Sequence, residues 1–196
     1  MRTHHGGAHL LRLQRYTRFL GEEAARTPAF AGQIDATYLD MLEACAPLHD
    51  IGQVALPDHI LQKAGKLDSE ERLIMQTHTT IGADILQGIA QRHRTALGFL
   101  HMAIDIARHH HEAFDGTGYP DRRAGLGIPL AARLVTLGDV YDALRSRRPQ
   151  RPPLAHQLAV EIITRANPSR FDPHLLSIFE RHADHFERMY GEVPDS

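Results

Sequence analysis

The 196-residue sequence has no tryptophan, one cysteine and only 6% aromatic residues. A single cysteine excludes an internal disulfide and points to a reducing compartment, the cytoplasm. Cys45 sits among Leu42, Ala44, Ala46 and Leu48, so it reads as a buried, inert thiol and not as a nucleophile. The scarcity of rings predicts a core built mostly of Leu, Ile, Ala and Val. Charge of neither sign dominates: the formal net charge of −2 leaves no basic field for a nucleic acid polymer or an anionic membrane. No apolar run is long enough to cross a bilayer, and the N-terminus lacks the form of a signal peptide.

What the sequence does contain is the balance of a soluble globular protein, 42% hydrophobic and 23% charged, with an excess of histidine, 15 residues. Apolar positions recur with helical spacing along most of the chain. Leu10, Leu13, Phe19 and Leu20 predict a helix from His9 to about Arg26, broken by Thr27-Pro28 and Gly32. Asp35 is placed to cap a second helix through Leu39, Leu42 and Ala46. Pro57 opens a short helix carrying Ile60 and Leu61. Asp68 and Glu71 form a capping-box pattern before one helix expected to run through Leu73, His78 and Leu86. Further helices are expected over Ala96–His110, Leu130–Leu144 (after Pro129), Leu154–Ala166 and onward from Asp172-Pro173. The organisation expected is one all-α domain over residues 9–190, a lead-in over 1–8 and a frayed tail over 191–196.

The chain is organised around His109-His110-His111-Glu112 and the Asp115-Gly116-Thr117-Gly118-Tyr119-Pro120 that follows. Imidazole is the commonest protein metal ligand, and glycine and proline together set a fixed turn beside the histidines. Alone, such a run also suits a solvated helix face followed by an ordinary turn. Elsewhere, however, His9, His49-Asp50, His78 and Asp139 stand at or near expected helix ends. A mixed imidazole and carboxylate set favours a first-row transition metal over Mg²⁺ or Ca²⁺. Seven ligands exceed what one ion with an open position needs, and suit two ions sharing a carboxylate, an arrangement used for displacement at phosphorus.

Leu48-His49-Asp50-Ile51-Gly52, His78, His110-His111-Glu112 with Asp115-Gly116-Thr117-Gly118-Tyr119-Pro120, and Asp139-Val140-Tyr141-Asp142-Ala143-Leu144 together resemble the HD-GYP family in order and spacing. Arg148-Pro149 and Phe171-Asp172-Pro173 match as well, so the resemblance runs from His9 to about Phe179. It implies a helical bundle of the HD superfamily that hydrolyses cyclic di-GMP. His9, His49, Asp50 and Asp139 would hold one metal, and Asp50, His78, His110 and His111 the other, Asp50 bridging. Iron or manganese is the implied metal. A hydroxide shared by the ions would open the ring to pGpG, and in some members continue to GMP, which makes Asp50 and His49 central to catalysis. Arg148 and Arg151 occupy positions for cations on the substrate phosphates, with Tyr119 and Gln53 beside the substrate.

Two positions depart from the family. Gln53 stands where lysine is usual, and losing one charged contact to an anion costs about 1.5–3 kcal/mol, or one to two decades. His5 stands where some members place a glutamate for a third metal, so two metals are expected. Asp142 is balanced between a helix-stabilising role and a supporting role beside the ligands. His109 is expected at the surface or beside the ligands, His101 packed or exposed and not liganding, and His156, His174, His182 and His185, outside every motif, in solvent. Three functions compete: a cyclic di-GMP phosphodiesterase, a module that binds a diguanylate cyclase (GGDEF) protein through the Gly-Tyr-Pro loop, and a phosphohydrolase acting on another cyclic nucleotide. Family members usually follow a receiver or sensory domain, so control from such a domain or a partner is expected.

Overall fold

The computed structural model describes residues 7–92, 97–147 and 152–195. Among them every regular element is helical. In chain order the α-helices are α1 (Gly7–Ala25), α2 (Ala36–Cys45), α3 (Asp58–Leu61), α4 (Ser69–Gln76), α5 (His78–Arg92), α6 (Leu97–His109), α7 (Leu130–Arg145), α8 (His156–Glu161), α9 (Pro173–Arg181) and α10 (Ala183–Glu192). The expected caps are present: Asp35 accepts from the Tyr38 amide, Asp68 and Glu71 close a capping box, and Asp172 accepts from the amides of His174 and Leu175.

The bundle is arranged around α1 and α7. Leu13, Tyr16, Leu20 and Ala24 form one stripe of α1 and are fully buried. Helix α7 is buried on every side, which explains why its sequence shows no polar face. Tyr16, Tyr141, Phe179 and Phe186 meet in the centre with ring centroids 4.9 to 5.6 Å apart. The core is thus less purely aliphatic than composition suggests: these four rings are gathered at its centre, where edge-to-face contacts add to burial.

Three expectations are corrected. The helix anticipated from Asp68 through Leu86 is broken at Thr77, whose hydroxyl and amide both donate to the Ile74 carbonyl. Thr79 and Thr80 likewise donate back three residues, a competition for helical acceptors. The break makes His78 the first residue of α5. The segment expected to fray from Gly191 instead continues α10 to Glu192, and the Val193 carbonyl and Asp195 carboxylate bind the buried Arg12 at 2.8 Å each. His156, expected in solvent, is buried and hydrogen-bonded to the Tyr141 hydroxyl at 2.9 Å.

Candidate metal centre

Five imidazoles and two carboxylates from separate parts of the chain converge. His9 comes from the first turn of α1, and His49-Asp50 from the junction of two short 3-10 turns, Ala46–Leu48 and Ile51–Ala55. His78 heads α5, His110 and His111 follow the end of α6, and Asp139 projects from the middle of α7, not from a helix end as expected. Asp50, His78, His110 and His111 form one group and His9, His49 and Asp139 another, with the ligand atoms within each group no more than 4.8 Å apart.

Asp50 lies between the groups. Its Oδ2 is 3.2 Å from His49 Nε2, while Oδ1 is 3.2 Å from His78 Nε2 and 3.6 Å from His110 Nε2. One carboxylate therefore turns one oxygen to each group.

The histidines are held so that Nε2 faces inward. Nδ1 of His49 meets the Ala46 carbonyl at 3.0 Å, Nδ1 of His78 the Met75 carbonyl at 2.6 Å, and Nδ1 of His110 the Ile106 carbonyl at 3.0 Å. A carbonyl can only accept, so each Nδ1 carries a hydrogen, and in the neutral ring the lone pair is on Nε2. Yet His78 Nε2 and His110 Nε2 lie 3.4 Å apart. Two lone pairs facing each other repel, and a cation between them removes the conflict. Buried imidazoles plus carboxylates are a donor set that fits divalent transition metals.

Burial lowers the His110 and His111 pKa values, His111 strongly because His110 and His78 add to the effect, which favours the neutral form that metals require. His49 differs. Burial opposes its charge, but Asp50 and Asp139 outweigh it and raise the imidazole to about 9. An arriving metal must therefore compete with a proton held between His49 and Asp50.

Several supporting residues escape a reading of the motifs. Asp142 accepts from His9 Nδ1 at 2.7 Å and from Arg12 at 2.5 and 2.9 Å, so it orients a ligand as well as anchoring α1 to α7. Burial alone would raise the Asp142 carboxyl, but His9 and Arg12 outweigh it and hold it below the usual range. Arg12 stands three residues after His9, on the same helix face, the one sequence signal for it. Thr136 donates to the His110 carbonyl at 2.7 Å. His109 is buried and meets the Asp121 carboxylate at 3.1 Å, a supporting place rather than a surface one. Asp142→Asn is expected to weaken metal binding by about ten- to a hundredfold, because an amide cannot accept from His9 and Arg12 alike. Isothermal titration of the stripped protein with Mn²⁺ measures it.

The Gly-Tyr-Pro loop is fixed at both ends. Glu112 accepts the Asp121 amide at 2.8 Å, Asp115 accepts from Thr117 and Ser169, and the Tyr119–Pro120 peptide is cis. A Cβ on Gly118 would lie 2.3 Å from the Ala113 nitrogen, so only glycine lets the loop fold against the backbone following the histidines. Tyr119 lies on His111 with ring centroids 4.9 Å apart. Gln53 is half-buried in the 3-10 turn that follows Asp50. Arg148, Arg151 and His5 lie outside the described residues.

An all-helical bundle that gathers histidines and aspartates around a His-Asp pair defines a metal-site class of helical proteins. The chain belongs to the HD-domain family: the family model described as HD domain matches residues 9–175. It is 44% identical over 190 residues to a cyclic di-GMP phosphodiesterase of Vibrio cholerae, covering 97% of this chain and 38% of that protein. It is 38% identical over 156 residues to 3′3′-cGAMP-specific phosphodiesterase 2 of the same organism, covering 80% of this chain and 29% of that one. Among solved structures it resembles Bd1817, an HDG"Y"P protein from Bdellovibrio bacteriovorus, with TM-score 0.59 and 20% identity over 87% of this chain and 52% of that one. The chain thus spans less than two-fifths of the length of these curated relatives.

Proposed function

We propose that the chain is the catalytic HD-GYP domain of a metal-dependent phosphodiesterase that opens cyclic di-GMP to pGpG, and in part onward to GMP. The observation that carries this is Asp50, with one carboxylate oxygen toward each of two ligand groups. His9, His49, Asp50 and Asp139 would hold one ion and Asp50, His78, His110 and His111 the other, iron or manganese. Two such ions, when bound, generate a hydroxide nucleophile near neutral pH and stabilise the leaving oxygen.

The chain's own residues set the stage for that chemistry. The backbone carbonyls of Ala46, Met75 and Ile106 fix the inward-facing imidazoles, so the ligands need little rearrangement. Tyr119 packs on His111 and would wall the substrate beside the ions, with Gln53 next to Asp50. Arg148 and Arg151 would contribute charge to the substrate phosphates. No helix among the described residues is long and apolar enough to cross a membrane.

The relative named as specific for 3′3′-cGAMP, at 38% identity, supports a neighbouring substrate as the second reading. Gln53, a neutral residue beside Asp50, supports a third, in which the domain is weakened in turnover and signals by docking a diguanylate cyclase. Control by a receiver or sensory domain belongs to either reading.

Incubating the Mn²⁺- or Fe²⁺-loaded protein under reducing conditions with cyclic di-GMP is expected to yield pGpG, and a chelator to abolish the reaction. Absence of any linear product from cyclic di-GMP with fully loaded protein sinks the cyclic di-GMP hydrolase. Loading should also register thermally. At a free Mn²⁺ concentration of about a hundred times its Kd, the native state gains about 2.7 kcal/mol. For a domain of this size that raises Tm by roughly 5–11 °C relative to chelated protein, readable by calorimetry.

A further inference from the structure

A cleft of about 580 Å³ opens between the α4–α5 junction, where Leu73, Gln76 and Thr77 line it, and the Gly-Tyr-Pro loop, where Thr117, Tyr119 and Arg122 do. That volume is in the range of small-molecule sites. Tyr119 joins it to the ligand cluster, since its ring lies on His111, and Thr77 immediately precedes His78. Among the described residues the lining is apolar or neutral except for one charged residue, Arg122.

Arg122 is also the one non-glycine among the described residues with positive φ, +55°. That left-handed backbone suits glycine and is strained for an arginine. The neighbouring chain holds it there: the Asp121 amide is bound by Glu112, and the Asp121 carboxylate by Arg108 at 2.7 and 2.8 Å and by His109. Asp121's own charge is thereby taken up by partners on α6. A strained residue kept at the wall of a cleft is the pattern of a residue retained for binding.

We infer that Arg122 is a substrate-binding residue of this cleft, gripping an adjacent pair of acceptor atoms on the cyclic dinucleotide; the inference rests on the reading of the chain as a protein that takes such a substrate. A guanidinium carries five donors and no acceptor in a planar fork. Two groups on the substrate match it: a pair of phosphate oxygens, or the O6 and N7 of guanine. Adenine does not, since its corresponding edge pairs an acceptor with a donor.

The test compares wild type with Arg122→Gly and Arg122→Lys, Mn²⁺-loaded, on cyclic di-GMP and cyclic di-AMP. Glycine is at ease at this φ, so Arg122→Gly should melt no lower than wild type. Its KM for cyclic di-GMP should rise about tenfold or more while kcat changes by less than about threefold. Lysine keeps the charge and loses the fork, and should recover little of the lost affinity. A rise confined to the guanine nucleotide assigns the base edge, and an equal rise on both nucleotides assigns the phosphate. A KM within about twofold of wild type overturns the inference. If wild type binds a cyclic dinucleotide without hydrolysing it, the hydrolase reading falls, and Kd from fluorescence anisotropy of a labelled cyclic di-GMP takes the place of KM. Binding of neither nucleotide sinks both.

Discussion

Asp50→Asn is expected to lower turnover of cyclic di-GMP by about a thousandfold or more, since metal assistance contributes several kcal/mol and each 1.36 kcal/mol is a factor of ten. The substitution conserves shape almost perfectly, so the effect isolates chemistry from packing. Two consequences combine. The carboxylate that faces both groups becomes a neutral amide, and an amide nitrogen placed where Oδ1 now stands would turn a donor toward the metal position shared with His78 and His110. The other loss is at His49, whose raised pKa depends on Asp50 more than on Asp139. Metal analysis should find both ions depleted, whereas Asp139→Asn, which belongs to one group only, should deplete chiefly one. An Asp50→Asn protein that retains both ions and turns over within tenfold of wild type would contradict the shared-carboxylate arrangement.

The candidate ligand residues are legible in the sequence because metal chemistry admits few side chains, so His9, His49, Asp50, His78, His110, His111 and Asp139 stand out by their identity and order. Helix starts are legible for a similar reason: an Asp35 or Asp172 cap is a local device, satisfied within three residues. What was hidden depends on residues that meet only after folding. Arg12 and Asp142 are 130 positions apart, and no local pattern says that this pair steadies His9 and ties Val193 and Asp195 to α1. Tyr141 and His156 likewise turn a histidine that looks solvated into a buried one. The break at Thr77 interrupts a run whose apolar spacing continues through it, because competition from threonine hydroxyls leaves no mark on periodicity. The strained backbone of Arg122 is invisible for the opposite reason: sequence rules assign positive φ to glycine, and arginine defies them.

Gly52→Ala should be the most damaging single methyl group that can be added near the site. A Cβ there would lie 2.0 Å from the His78 carbonyl oxygen and 2.5 Å from the Gly82 nitrogen. These are backbone atoms of α5, which cannot swing aside as a side-chain tip would. Helix α5 is itself packed along α6, so relief must come by lifting the turn Ile51–Ala55 away from it. Such a shift parts Asp50 from His78, now 3.2 Å apart, and with them the two halves of the group that also contains His110. Overpacking of this kind costs about 3 kcal/mol or more when nothing flexible can yield, which corresponds to a fall in Tm of roughly 6–12 °C for a domain of this length. Gly127→Ala is the matched control, since a Cβ at Gly127 meets nothing within 4 Å. It should melt with wild type and keep its metal, while Gly52→Ala loses both stability and Mn²⁺ uptake. Unaltered melting and metal content in Gly52→Ala would mean that the turn carrying His49 and Asp50 does not lie against α5, and the shared position of Asp50 between the two groups would lose its structural basis.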